Sequence, residues 1–311
     1  MSAVPLVSIG LPVCDGMPHL REAVASLLAQ TSPNLEIIIS DNASRDGTSD
    51  YCRALAQVHD HVHYARNESN LGPAENFRLV LARARGEYFM WAAHDDRWSP
   101  GFVGALVGRL QDATEAVLST PAVIHIREDG TLCSEPPDRP AGGGSQRANL
   151  EQLYEDHAAS WIYGVWRTDW LRRHFAEYSA LPYWGADVLW LADICLRRPI
   201  VGNQEAMLFK RLRRSRYSPQ SARDTIVFWA SMFWHVSRMS VRRTQGLSER
   251  TQILWLSWRY VYRLGIRRPY PLRTAWRVVR MLLVAALTGL PLAVAYGARK
   301  LVRKLRPARA V

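Results

Sequence analysis

The chain has 311 residues, 48% of them apolar and 22% charged, the proportions of a folded globular protein rather than a disordered one. Its net charge of +12 is unevenly spread: residues 209–311 hold 23 Lys and Arg against only Asp224 and Glu249, net +21, whereas the first 208 hold 17 against 26 acids, net −9. An acidic body with a very basic tail predicts an anionic partner for the tail; no nucleic-acid module accompanies the charge, so nucleic acid is not expected and a membrane surface is.

In chain order, residues 4–13 are a short apolar run bounded by turn residues, read as a buried strand. After a turn at residues 14–18, residues 19–30 place Leu20, Val24, Leu27 and Leu28 at helical spacing. Residues 35–40 form a second, β-branched strand that ends in the polar turn 41–48 and a helix near 49–58. Two successive strand–turn–helix units predict a parallel sheet. A third strand is expected at 62–65 and a helix at 74–85, with Phe77, Val80, Leu81 and Ala84 on one face. The apolar run Tyr88-Phe89-Met90-Trp91 then stops at His94-Asp95-Asp96, and Ser99-Pro100-Gly101 turns into a helix over 101–112. A strand over 116–126, a turn at 128–130 and a segment at 135–149 follow, the last read as a flexible loop over the active site or as an inert surface loop. Cys14, Cys52, Cys133 and Cys195 show neither C-x-x-C spacing nor a disulfide framework, and read as reduced thiols of a cytosolic protein. The N-terminus lacks the charged region and apolar core of a secretory signal.

Asp95 and Asp96, at the carboxyl end of a buried strand, lie where open α/β sheets bind their ligands. Two adjacent acids suit a divalent cation carrying a phosphate-rich ligand. The alternative is a solvated loop in which one of them caps the next helix.

Five pieces, V-S-I-G-L-P-V, L-L-A-Q-T, I-I-S-D-N-A-S-R-D-G-T, N-L-G-P-A-E-N and H-D-D, together resemble the family 2 glycosyltransferases of the GT-A fold, a likeness that extends over residues 5–215. The resemblance implies an α/β fold with a Rossmann-like, mostly parallel sheet and flanking helices. Residues 1–100 would bind a nucleoside-diphosphate-sugar, residues 101–215 the acceptor, and residues 216–311 would be a helical, basic region. By the same resemblance Asp41 accepts a hydrogen bond from the nucleotide base, Pro12 and Cys14 line the base, and Arg66 approaches base or phosphate. Asp95 would reach the ribose or a metal-bound water, and Asp96 would hold Mg²⁺ or Mn²⁺. Arg211 matches an arginine that closes over the diphosphate, with Arg213 in place of a histidine. Asp187 is the implied base that deprotonates the acceptor hydroxyl in an inverting transfer. Tyr163, Gly164 and Trp184 would contribute to the acceptor wall. The chain departs from the family at Cys14 and Asp15 (commonly an aromatic and Asn), His94 (an acid) and Ala186 (often Glu). Asp156, His157 and Asp193 are further acid–base candidates, read as groups outside the site.

In the basic tail, residues 225–241 and 252–266 are helical patterns rich in aromatics and arginine, which suit a lipid–water interface. Residues 281–298 carry no charge, yet Gly289 and Pro291 interrupt them and basic residues flank both sides. They read as a helix or re-entrant hairpin in the cytoplasmic leaflet; a buried helix pair and a single span are the alternatives. The expectation is a metal-dependent, inverting glycosyltransferase of cell-envelope polysaccharide synthesis at the cytoplasmic membrane face, with a glycan or lipid-linked acceptor. Two alternatives are a nucleotidyltransferase on the same fold and a degenerate nucleotide-sugar-binding membrane scaffold.

Overall fold

The computed structural model describes residues 4–179, 186–212, 235, 238–239, 241–244 and 246–267. The chain forms two compact units, Met1–Leu181 with Arg197–Arg214, and Pro182–Leu196 with Ser215–Val311. The segments 1–100 and 101–212 therefore share one unit and one sheet, while residues 182–196 group with the tail.

In the first unit, the apolar run Val7–Val13 forms strand β1, buried along its whole length. It lies between β2 (Leu35–Asp41) and β4 (Tyr88–Trp91), parallel to both, and β2 carries β3 (Val62–Arg66) on its outer side, also parallel. Parallel strands covered on both faces are apolar without alternation, which is why 7–13 and 35–40 read as continuous runs. The connections are helices α1 (Leu20–Leu28), α2 (Thr48–Val58) and α3 (Pro73–Arg83). Next come β5 (Arg97–Trp98), α4 (Phe102–Asp112), β6 (Leu118–Ile126), α5 (Gln146–Glu155) and a 3₁₀ turn over Ala159–Tyr163. The unit closes with β7 (Val165–Arg167), α6 (Thr168–Ser179) and β8 (Ile200–Arg211).

The eight strands run in the order β3-β2-β1-β4-β7-β6-β8-β5. β7 is antiparallel to β4 and β6, β8 is parallel to β6, and β5 is antiparallel to β8. On one face, Val7, Ile9, Leu11 and Met90 pack with Leu20, Val24 and Leu27 of α1, Cys52 of α2, and Phe102 and Leu106 of α4. On the other, Trp91 packs against Phe77 of α3, Phe175 of α6 and Trp166 of β7. Gly10 permits that second layer, because a Cβ there would stand 2.7 Å from the Phe89 ring and 2.8 Å from Val80. The expected α/β architecture, a mostly parallel sheet flanked by helices, is present.

The loop expected at 135–149 differs. Asp138 exchanges both backbone hydrogen bonds with Val123, and Ala141 N–H donates to Thr120 Oγ1. Gln152 holds Gly142 N–H and Pro140 O, and Ser145 caps α5, which takes in the last four residues of the segment. These bonds to β6 and α5 anchor the middle of the stretch rather than leaving it a free loop.

In the second unit, α7 (Ala186–Cys195) is buried along nearly all of its length. Asp193 is held by two hydrogen bonds from Arg243, a structural ion pair. Helix α8 (Leu247–Arg267) covers the expected helix at 252–266; it buries Ile253, Ser257 and Tyr260 and exposes Trp255, with the Arg259 guanidinium 5.5 Å from the Trp255 ring centre. No described helix is long and apolar enough to cross a membrane. Trp184, Arg213, the 281–298 stretch and almost all of the 225–241 pattern lie outside the described residues.

Gly164, between the 3₁₀ turn and β7, is tighter still: a Cβ would lie 2.2 Å from the Ser119 carbonyl oxygen. Gly164→Ala is expected to lower stability by about 2 kcal/mol or more through overpacking, read as a fall in the urea midpoint. An unchanged midpoint would mean that β6 and β7 are not this close.

Candidate active site

The register of the parallel strands brings Val13, Asp41 and Arg66 side by side at the carboxyl edge of the sheet. Asp41 is buried, yet its carboxylate is well supplied with donors. Oδ1 accepts from Ser44 N–H at 2.9 Å, and Oδ2 accepts from Ser49 Oγ at 2.5 Å and Tyr64 Oη at 2.9 Å. Burial alone would raise this acid, but the hydrogen bonds from Ser44, Ser49 and Tyr64 prevail and hold it below the ordinary carboxylate range. Arg66 donates to Ser49 Oγ and Ser44 O, and its Nε lies 3.7 Å from Asp41 Oδ2.

Two turns build the floor of this corner. Asp15, Gly16 and Met17 donate their N–H groups to Ser44 Oγ, Thr48 Oγ1 and Asp46 Oδ2, and Asp15 Oδ1 accepts from Arg45 N–H. The turn after β1 is thus fastened to the turn after β2. An asparagine network fixes the loop before α3. Asn42 Oδ1 accepts from Asn67 and from Leu71 N–H, Asn42 Nδ2 donates to Asn70, and Asn76 Nδ2 donates to Ser40 O and Val13 O. Cys14 sits beside this network, with Asn70 Nδ2 3.5 Å from its sulfur. Burial first, then Asp15, Asp41 and Asp46, pushes its thiol upward, so it stands as a neutral SH. Pro12 is buried within β1 opposite Ser40.

β4 ends at Trp91, and the chain turns through His94, Asp95 and Asp96 before β5. A Cβ on Gly16 would lie 3.4 Å from the His94 ring, so this turn stands beside the turn after β1. Asp96 is 3% exposed and accepts a hydrogen bond from Arg211 N–H at 2.9 Å. Burial, then the neighbouring Asp95 charge, pushes its carboxyl up to about 7, against the weaker pull of Lys210 and Arg211.

Arg211 departs from the expectation. Its side chain is buried, with Nε donating to Asp95 O, Nη1 to Arg127 O and Glu128 O, and Nη2 to Glu22. Four of its five N–H groups are thereby occupied. It clamps the acidic turn to α1 and to the turn after β6. Glu22 also pairs with Arg97, which donates to Gly130 O. For Gly164, the contact with Ser119 accounts for the residue without a ligand.

Tyr163 ends the 3₁₀ turn half-buried, with the Lys210 Nζ of β8 5.4 Å from its ring centre. Asp156 pairs with Arg139, and His157 occupies a left-handed turn position at φ 53°. Asp187, in the first turn of α7, belongs to the second unit; it is half-buried, and its Oδ1 accepts from Val188 N–H at 2.9 Å. Ser44, Ser49 and Tyr64 around Asp41, the asparagines, Glu22 and Lys210 are site-building residues that the sequence reading did not single out. The asparagines carried a signal, since two of them lie in N-L-G-P-A-E-N.

The acids suit a hard divalent cation. Asp96 is a buried carboxylate beside a second one, given a neutral N–H and, among the described residues, no salt bridge, with Lys210 and Arg211 attracting it at longer range. Among the described residues no group of three or more His, Cys, Asp and Glu is arranged to hold a metal. Mg²⁺ is commonly held by one or two carboxylates together with substrate phosphates and water.

The glycosyl transferase family 2 model matches residues 8–177, more than half of the chain and all of the carboxyl edge just described. The chain belongs to glycosyl transferase family 2. It is 38% identical over 96 residues to the uncharacterized glycosyltransferase RT0329 of Rickettsia typhi, covering 31% of this chain and 29% of that protein. It is also 28% identical over 127 residues to the glycosyltransferase GlyG of Streptococcus pneumoniae, covering 41% and 42%. The matched segment thus spans less than half the length of these relatives. Among solved structures, S. aureus TarS 1-349 in complex with UDP-GlcNAc superposes with a TM-score of 0.68 over 96% of this chain and 88% of that one, at 14% identity. At that identity the likeness establishes the GT-A fold.

The raised Asp96 carboxyl has a consequence for stability. Between the unfolded value near 4 and the folded value near 7, the native state holds a proton that the unfolded chain has lost, so stability falls as pH rises through this window. Asp96→Asn keeps an acceptor for Arg211 N–H without the charge. In EDTA it should raise the melting temperature at pH 8 by about 5 °C and leave it unchanged at pH 4. Equal melting of both proteins at pH 8 would contradict the cost of the buried charge.

Proposed function

We propose that the chain is a metal-dependent, inverting glycosyltransferase that moves a sugar from a nucleoside-diphosphate donor to a hydroxyl of a glycan or lipid-linked acceptor. The observation that carries this reading is the placement of Asp41, Arg66, Asp95 and Asp96 at the carboxyl edge of β1 to β4, one acid kept ionised by internal donors and the other raised by burial and a neighbouring carboxylate. Family membership supports glycosyl transfer, and the UDP-GlcNAc of TarS supports a nucleotide-sugar donor.

In this reading Asp41, kept ionised by Ser44, Ser49 and Tyr64, has a remaining lone pair for a base N–H. Arg66 adds positive charge at the same corner. Asp96 holds Mg²⁺ or Mn²⁺ and Asp95 reaches the ribose or the metal's water shell. When bound, the ion supplies Lewis-acid stabilisation of the departing diphosphate. Arg211 keeps both acids in register for that task through Asp95 O and its own N–H to Asp96. Asp187 is the base that takes the acceptor hydroxyl proton, with Tyr163 and Trp184 on the acceptor side. The protein acts at the cytoplasmic membrane face in cell-envelope glycan synthesis, held peripherally by its basic tail. The exposed Trp255 with Arg259 at its face is the pairing expected where a helix meets lipid headgroups.

Isothermal titration with UDP, dTDP and GDP, with and without Mn²⁺, tests the donor site. One nucleotide should bind only with metal, and Asp96→Ala should abolish the binding; failure of all three to bind folded protein would sink the reading. Asp187→Asn should bind the same nucleotide normally while turnover falls about 10²–10⁴-fold. Undiminished turnover would remove Asp187 as the base. For the tail, the protein should sediment with phosphatidylserine vesicles at low salt and be released at high salt. Equal binding to neutral vesicles would contradict an electrostatic anchor.

A further inference from the structure

A second cluster of charged groups lies away from the acidic turn, toward the amino ends of the strands. Glu36, the second residue of β2, is buried, and its carboxylate is enclosed by donors. Oε1 accepts from Ser8 Oγ at 2.5 Å and Arg85 N–H at 2.7 Å, and Oε2 accepts from Arg85 Nε at 2.8 Å and Nη2 at 2.7 Å. Against burial, these bonds from Ser8 and Arg85 hold Glu36 below the ordinary carboxylate range. The acceptor positions of this acid are taken, and it has no need of a further cation. Arg85 Nη2 also stands 2.8 Å from His63 Nε2. A guanidinium only donates, so that ring nitrogen accepts, and the neutral imidazole keeps its proton on Nδ1.

Glu36, His63 and Arg85 line a cavity of about 350 Å³ together with Ile38, Ala65 and Arg83. Ile38 and His63 are register partners, and Ala65 follows two residues on, so the three stand on one face of the β2–β3 ladder. Arg83 ends α3, where a cation is favoured, and its exposed guanidinium forms no hydrogen bond or ion pair among the described residues. Arg85 commits its Nε and Nη2 edge inward and leaves Nη1 toward solvent, with the side chain 65% exposed. Glu36 is the only acid among the described lining residues, and Arg85 balances it, so Arg83 leaves the cavity one net positive charge. Two guanidiniums with free N–H groups beside an apolar floor form a donor set for an oxyanion.

We propose that this cavity is a second ligand site, separate from the acids of the carboxyl edge, that takes a small organic phosphate or carboxylate of about sugar-phosphate size. Arg83 and the outer edge of Arg85 hold the anion, and the Ile38–Ala65 floor carries the body of the ligand.

The test is amide-detected NMR titration of the whole chain in EDTA, without nucleotide. Glucose 1-phosphate, glucuronate and glucose are the probes, and the tighter of the two anions distinguishes a phosphate ligand from a carboxylate one. At least one anion should shift the Ile38, His63 and Ala65 amides saturably and bind about 10-fold more tightly than glucose. Arg83→Gln, at an exposed and unpaired position, should keep the melting temperature and lose that preference, and Arg83→Lys should retain part of it. Asp96→Ala should bind the anion as the unaltered chain does. The site is overturned if anionic and neutral probes bind alike, or if Arg83→Gln keeps the preference. It is equally overturned if Asp96→Ala loses the anion, which would place it at the acidic turn.

Discussion

The burial of Asp96 beside Asp95 is the constraint around which the carboxyl edge of the sheet is arranged. A carboxylate taken out of water next to another carboxylate is unfavourable, and a fold can answer by supplying a cation or by leaving the group short of one. Here the nearest guanidinium is spent elsewhere. Arg211 turns its N–H groups to Asp95 O, Arg127 O, Glu128 O and Glu22, and offers Asp96 only its backbone N–H. The acid is fixed in position and only partly compensated by Lys210 and Arg211, with its carboxyl pushed up to about 7. Such a group gains most from a divalent ion arriving with its own phosphate ligands.

Asp41 receives the opposite treatment at the other end of the same edge. Three internal donors keep it ionised although it is fully buried, so it is ready as an acceptor without any cation. Two acids of the same sheet edge are thus driven in opposite directions by their surroundings, a pattern that assigns distinct tasks to chemically similar groups. The laced turns at residues 14–17 and 43–48, and the asparagine network from Asn42 to Asn76, hold the backbone on which that difference depends.

Much of this architecture was legible in the chain. The apolar runs and the order of turns predicted β1 to β4 and α1 to α4 to within a few residues, because strands buried on both faces and amphipathic helices write their burial into composition. The antiparallel insertion of β7 between β4 and β6 was not legible, since it depends on pairing between segments far apart in sequence. The anchoring of residues 135–149 was not legible because glycine and proline signal turns, whereas the anchoring comes from Thr120 and Gln152. In the site, family resemblance singled out Asp41 and Asp96. The clamp that Arg211 makes to Asp95 O, Arg127 O, Glu128 O and Glu22 was not legible, because a motif records which residue is present, not which way its side chain turns. Lys210 escaped notice for a related reason: in the sequence it is one of a run of basic residues, and only the fold sets it apart over Tyr163.

The most direct measurement is the anomalous diffraction of manganese in crystals grown with UDP and Mn²⁺. A manganese peak is expected at coordination distance from the Asp96 carboxylate, with the diphosphate on the same ion and the uracil between Cys14, Asp41 and Arg66. Nucleotide bound elsewhere, or manganese with no contact to Asp96, would contradict it.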